Sequence, residues 1–230
     1  MKRIWILTIF LALPLSAQEN DHAGMTDSAM AMHEMHSSTH MQMTELRTEQ
    51  PGDRKKADEV AGAAKAVMAK YTDYKAAEAD GFRPFLPNVK QKMVHFTNYR
   101  YAMEAAFGFN PEHPTSLLYE PVGTGYRLIG VMYTAPFRFS PDQLNERVPL
   151  SIAQWHVHIN LCMPPAGERD AALQAHPKFG INGAISTENA CTEAGGTFHP
   201  HVFGWMVHVY PNEQDPSRIW SVERQMGSMD

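Results

Sequence analysis

Two histidines set one residue apart in an apolar stretch are the most chemically suggestive feature of this chain. They lie in Gln154-Trp155-His156-Val157-His158-Ile159-Asn160-Leu161-Cys162. Read as a β-strand, the segment alternates its side chains between two faces. Trp155, Val157, Ile159 and Leu161 then share a face that can bury against a core. His156, His158, Asn160 and Cys162 share the other. The two imidazoles stand about 7 Å apart along the strand, an arrangement from which a sheet builds half of a metal site. The same residue type recurs at His199-Pro200-His201 and in Val207-His208-Val209, and His95 lies in Val94-His95-Phe96-Thr97-Asn98. Imidazole is the commonest side-chain ligand of transition metals, and a third ligand usually comes from a neighbouring strand. The candidate ligands are therefore His156 and His158, completed by His208 or His201, with His95 and His199 as further members. Three His with an open position suit zinc, copper or iron. Asn160, Glu120 or Tyr210 could orient a ring through its second nitrogen.

A second group of ligands lies near the N-terminus. Residues 22–43 contain six Met (25, 30, 32, 35, 41 and 43) and four His (22, 33, 36 and 40). Thioether sulfur is a soft ligand that favours Cu(I), whereas imidazole accepts Cu(II), Zn(II) or Ni(II). His33, Met35 and His36 form one close-set group, and Met41 and Met43 another. This mixture favours copper. Residues 18–50 carry little apolar patterning, so they are expected to be a disordered tail.

Other chemistries lack their signatures. There is no Gly-x-Ser-x-Gly elbow, no Gly-rich phosphate loop, no dinucleotide fingerprint and no His-Glu-x-x-His pattern. Nucleic acid is not an expected partner, because Lys and Arg are neither abundant nor clustered. The expected partners are metal ions. No protein partner can be named from the residues.

The elements that must position these ligands follow from periodicity. Met1-Lys2-Arg3, an apolar run from Ile4 to Leu15 and Ser16-Ala17 have the plan of a secretory signal peptide, residues 1–17. The run is too short to span a bilayer comfortably, so no stable membrane insertion is expected after cleavage. Losing Lys2 and Arg3 leaves 18 basic and 25 acidic residues, a net of −7. Export, with a periplasmic location favoured, also bears on Cys162 and Cys191. A disulfide between them is the simplest reading in an oxidising compartment, and a thiolate ligand at Cys162 is the competing one.

Residues 51–230 are expected to form a single α+β domain. Its core is a mainly antiparallel β-sheet, with an N-terminal amphipathic helix and short peripheral helices. Val60, Ala64, Val67, Met68, Tyr71 and Tyr74 predict one helix over about 53–79. Short helices are expected at 99–107, 141–147, 168–174 and 187–193. Strands are expected at 116–120, 126–133, 151–161, 197–204 and 205–210, the first two joined as a hairpin, with a proline-punctuated loop over 82–95 leading into residues 94–98. His113 and His176 stand beside prolines in loops and are expected at the surface.

Five phrases carry a resemblance. They are Tyr-x-Asp-Tyr-x-x-Ala-x-x-Asp-Gly-Phe (71–82), Val-His-Phe-Thr-Asn (94–98), Ser-Leu-Leu-Tyr-Glu-Pro (116–121), Arg-Leu-Ile-Gly-Val-Met-Tyr (127–133) and Val-His-Val-Tyr-Pro (207–211). In this order the chain resembles a group of uncharacterised exported bacterial proteins over about residues 60–211. The resemblance implies a single exported domain and draws attention to His95 and His208. It implies no reaction.

From residues alone, three functions compete. The first is a periplasmic metal-binding protein, copper favoured, with a folded His cluster and a Met/His-rich tail. The second is a metal-dependent hydrolase or oxidoreductase using the same cluster. The third is a binding module that holds no metal.

Overall fold

The structure is a computed structural model that describes residues 37–87, 91–173 and 176–221. Eight antiparallel strands form one sheet: β1 (Ser37–Ser38), β2 (Met41–Met43), β3 (Arg83–Pro84), β4 (Val94–Thr97), β5 (Ser116–Val122), β6 (Gly125–Ala135), β7 (His156–Met163) and β8 (Thr197–Val209). Their spatial order is β1-β2-β7-β8-β6-β5-β4-β3. The helices are α1 (Asp53–Lys70), α2 (Tyr74–Ala79), α3 (Tyr99–Glu104), α4 (Pro141–Asn145) and α5 (Glu188–Glu193). The chain is thus α+β, with an antiparallel sheet. Among the described residues no helix is long and apolar enough to cross a membrane.

Alternation along the strands divides the sheet into two chemically different faces. Val94, Phe96, Leu117, Tyr119, Val131, Tyr133, Trp155, Val157, Val207 and Val209 lie in one apolar core. Helix α1 closes that core with Ala57, Val60, Ala61, Ala64, Val67 and Met68, spaced three and four apart. The intervening residues of the strands, His95, Met132, His156, His158, Met206 and His208, line a concavity on the opposite face. Its volume is about 2690 Å³.

Four expectations require correction. The helix expected over 53–79 is two helices. Tyr71 breaks the first, and Asp73 starts the second by accepting a hydrogen bond from the Lys75 amide. The strands expected at 197–204 and 205–210 are one strand, β8, that passes through a bulge. A four-residue step on β8, from Val202 to Met206, faces the two-residue step from His158 to His156. Phe203 takes a left-handed φ of 63° there, and Gly204 presses its backbone onto β6. A Cβ at position 204 would lie 2.1 Å from the Ala135 carbonyl oxygen. The strand expected at 151–161 is shifted to 156–163.

The fourth correction concerns the tail. Of residues 18–50, Ser37–Ser38 and Met41–Met43 are strands of the sheet, with Met41, Gln42 and Met43 in register with His158, Val157 and His156. Composition argued for disorder because so few residues can bury apolar area. Backbone pairing to the edge of β7, which composition does not report, orders the segment. Residues 18–36, with His33, Met35 and His36, lie outside the described residues, as does the signal-peptide stretch 1–17.

Candidate functional site

Strand β7 places the His pair. Val157 enters the core at 0 % exposure, so its neighbours His156 and His158 are turned into the concavity. Their ring centroids lie 5.5 Å apart. Next in the sheet, β8 brings His208 to 5.2 Å from His156. His95, on β4, lies 5.5 Å from His208. Four imidazoles therefore follow one another across the concave face. His156 and His208 are almost wholly buried, whereas His95 and His158 keep some surface toward the cleft.

Methionines surround this row. Registered partners on neighbouring antiparallel strands project from the same face. Met41 is opposite His158, Met43 and Met206 flank His156 on its two sides, and Met132 is opposite His208. His and Met thus alternate from strand to strand. Met93, Met132 and Met206 pack together with Leu118 and Tyr210 in a cluster separate from the helix-backed core.

Burial sets the protonation of His95, His158 and His208. It pushes His95 down to about 4, with the neighbouring His158 adding to the shift. Burial likewise pushes His158 down to about 4. His208 is held well below the ordinary imidazole value, chiefly by burial and then by His156, His95 and His158. Neutral imidazole is the form that binds metal.

Hydrogen bonding leaves nitrogens available. His208 shares a hydrogen bond of 3.3 Å between Nδ1 and the Tyr210 hydroxyl, while its Nε2 is buried without one. His158 Nδ1 is also buried without one. A buried nitrogen left this way costs about 1–3 kcal/mol unless something coordinates it. Of Asn160, Glu120 and Tyr210, it is Tyr210 whose hydroxyl meets a ring of the row. Asn160 instead donates to the Thr39 carbonyl, and Glu120 pairs with Arg127 across the β5–β6 hairpin.

The fit to an ion can be tested on spacing. Two imidazoles sharing one tetrahedral ion have ring centroids about 5 Å apart, given metal–nitrogen bonds of roughly 2.0–2.1 Å. The three successive spacings are close to that value. Among the described residues no three His, Cys, Asp or Glu side chains are drawn tightly enough to hold an ion as they stand. The rings match that spacing in pairs only.

The remaining expected ligands go elsewhere. His201 is exposed and stacks on Phe137 at 3.9 Å and 6° between planes. The bulge at Phe203–Gly204 separates it in register from His208, so it does not join the row. His199 lies opposite Leu161 and lines the outer cleft. Cys162 is not a ligand but is disulfide-bonded to Cys191. The expected face of β7 holds only as far as Asn160, whose φ of 56° interrupts the alternation. Beyond it, Leu161 and Met163 line the cleft, and Cys162 packs with Cys191 and Phe179. His113 is half-buried, stacked on Tyr101 and bonded to Glu104, and His176 is exposed.

Sequence reasoning missed Met93, Met132 and Met206 as members of this face. The signal was present, since Met132 and Met206 sit between core residues at alternating positions. His40, counted above among the histidines of the Met/His-rich stretch, is buried instead, its Nε2 2.6 Å from the Gly183 carbonyl oxygen, and helps to hold β2 in place. Comparison with models of protein families, with curated proteins and with solved structures finds no match to this chain.

Proposed function

We propose that this protein is an exported, periplasmic metal-binding protein whose ion is held on the concave face of the sheet, with copper favoured. The observation that carries this reading is the alternation of His and Met across β2, β7, β8 and β6. His158 and His208, buried and held neutral, each keep a ring nitrogen without a hydrogen bond that suits a transition metal. The thioethers beside them favour copper over zinc or iron. His156, His158 and His208 would hold the ion, His95 would join from β4, and Tyr210 would fix the tautomer of His208. The Met/His-rich residues 18–36 would capture further ions.

The test is elemental analysis and chelator competition on the untagged mature chain, beside the variant His156→Gln/His158→Gln/His208→Gln. The expected result is at least one equivalent of copper lost from the variant, with the ions bound by the tail retained. Equal copper content in the two proteins would overturn the reading.

A second reading draws on the size of the concavity, which far exceeds an ion. A metal with an open position could there activate water or oxygen for a hydrolase or oxidoreductase. Turnover of ester, phosphoester or phenolic substrates by the copper- or zinc-loaded protein would favour it. The gathering of four His on one face counts against a module in which they only satisfy local polar groups.

A further inference from the structure

We infer that Met41 and Met43 are thioether ligands of the His156/His158 site, and that they make this site an acceptor for Cu(I) in particular. The inference rests on the metal-binding reading above and names the oxidation state of its ligand.

The two methionines occupy alternate positions of a three-residue strand, with exposures of 1 % and 8 %. Their registered partners are the two His of β7, Met41 with His158 and Met43 with His156. Gln42 between them is exposed. The pair thus lies buried on the sheet face that carries the two imidazoles, one methionine registered beside each ring.

Polar contacts at both ends of β2, rather than the methionines themselves, fix this register. At the C-terminal end the Thr44 amide donates to the Trp155 carbonyl at 2.8 Å, and the Trp155 amide donates to Thr44 Oγ1 at 3.0 Å. Gln154 Nε2 donates to the Thr44 carbonyl at 2.7 Å. At the other end the Ile159 amide donates to the His40 carbonyl at 3.1 Å, and the His40 ring bonds Gly183. Neither Met41 nor Met43 belongs to the helix-backed core. If apolar cover over the His pair were the only demand, leucine would supply it with less side-chain entropy lost on burial. Methionine adds a soft donor.

The chemistry separates the ligands by ion. Imidazole binds Zn(II), Cu(II) and Cu(I), whereas thioether sulfur contributes to Cu(I) and little to Zn(II). Substituting the sulfurs therefore affects one ion and spares the other.

Two measurements on the full mature chain test this. In protein labelled at the methionine methyl carbons, one equivalent of Cu(I) added without oxygen shifts the Met41 and Met43 signals, and one equivalent of Zn(II) leaves them in place. Both ions shift the His156 and His158 ring signals. In Met41→Leu/Met43→Leu, affinity for Cu(I) at the His site falls roughly tenfold or more, a difference of one decade in Kd. Zn(II) affinity stays within about twofold. Methyl signals unmoved by Cu(I), while the ring signals shift, would overturn this inference and leave the metal-binding reading standing. Equal loss of both ions in the variant would assign the methionines to packing alone. Ring signals unmoved by either ion would overturn both.

Discussion

The rings of His95 and His208 lie 5.5 Å apart although β5 and β6 run between their strands. Three steps across a flat sheet would separate the two backbones by about 14 Å. The rings approach because the sheet coils toward this face. An irregularity in β5–β6 pairing between Leu118 and Tyr119 accompanies the coiling, and Gly130 places no side chain in the way.

Gly130 gives the first prediction. A Cβ there would lie 2.7 Å from both the Tyr210 ring and the Val209 carbonyl oxygen. Gly130→Ala must push β8 away from β6, at a cost of about 1–3 kcal/mol for overpacking. It should also displace Tyr210 from His208. Urea unfolding reads the first effect, and metal affinity at the His row the second. An unchanged unfolding midpoint would show that the two strands can yield freely.

Acid should destabilise the metal-free protein well above the carboxylate range. His95 and His158 are lowered from 6.5 to about 4, so between these values the unfolded chain binds more protons than the folded one. Stability then rises with pH across this window: it is fully present above about 6.5 and lost as pH falls toward 4. Both rings keep some surface toward the cleft, which moderates the effect, so Tm against pH is the quantity to read. His95→Gln should flatten the profile. A Tm constant from pH 7 to 4.5 in the metal-free protein would contradict the burial of these rings.

Reduction of Cys162–Cys191 should loosen the far end of β7 and leave the His row in place. The bridge spans 29 residues, and closing a loop of that length contributes about 3–4 kcal/mol in the chain-entropy model. It ties β7 to α5, and a Cβ on Gly196 would lie 2.6 Å from Cys162 Sγ. Urea midpoints with and without reductant measure the stability. Metal titration of Cys162→Ser/Cys191→Ser checks the site, where affinity within about twofold of the parent is expected. A large loss of affinity would place the bridge nearer the chemistry than the fold does.

Much of the local architecture was legible in the residues. The alternation around Trp155, Val157 and His158 turned the apolar residues to the core and His156 and His158 away from it, because side-chain period is a property of the strand itself. Val207-His208-Val209 read the same way. With only two cysteines in the chain, neither Cys162 nor Cys191 had another cysteine to pair with.

Tertiary structure decided which of these local features meet. His208 rather than His201 joins the His156/His158 pair, because a bulge at Phe203–Gly204 shifts the register and leaves His201 opposite Ile159. His95 reaches His208 only through the coiling of four paired strands, a long-range property that no local spacing records. Met41 and Met43 looked like part of a solvated tail because their own segment lacks apolar neighbours. Their registered partners are more than a hundred residues away in β7, and the hydrogen bonds that hold them there, from the backbone and from Thr44, Gln154 and His40, join distant segments, which sequence composition does not express.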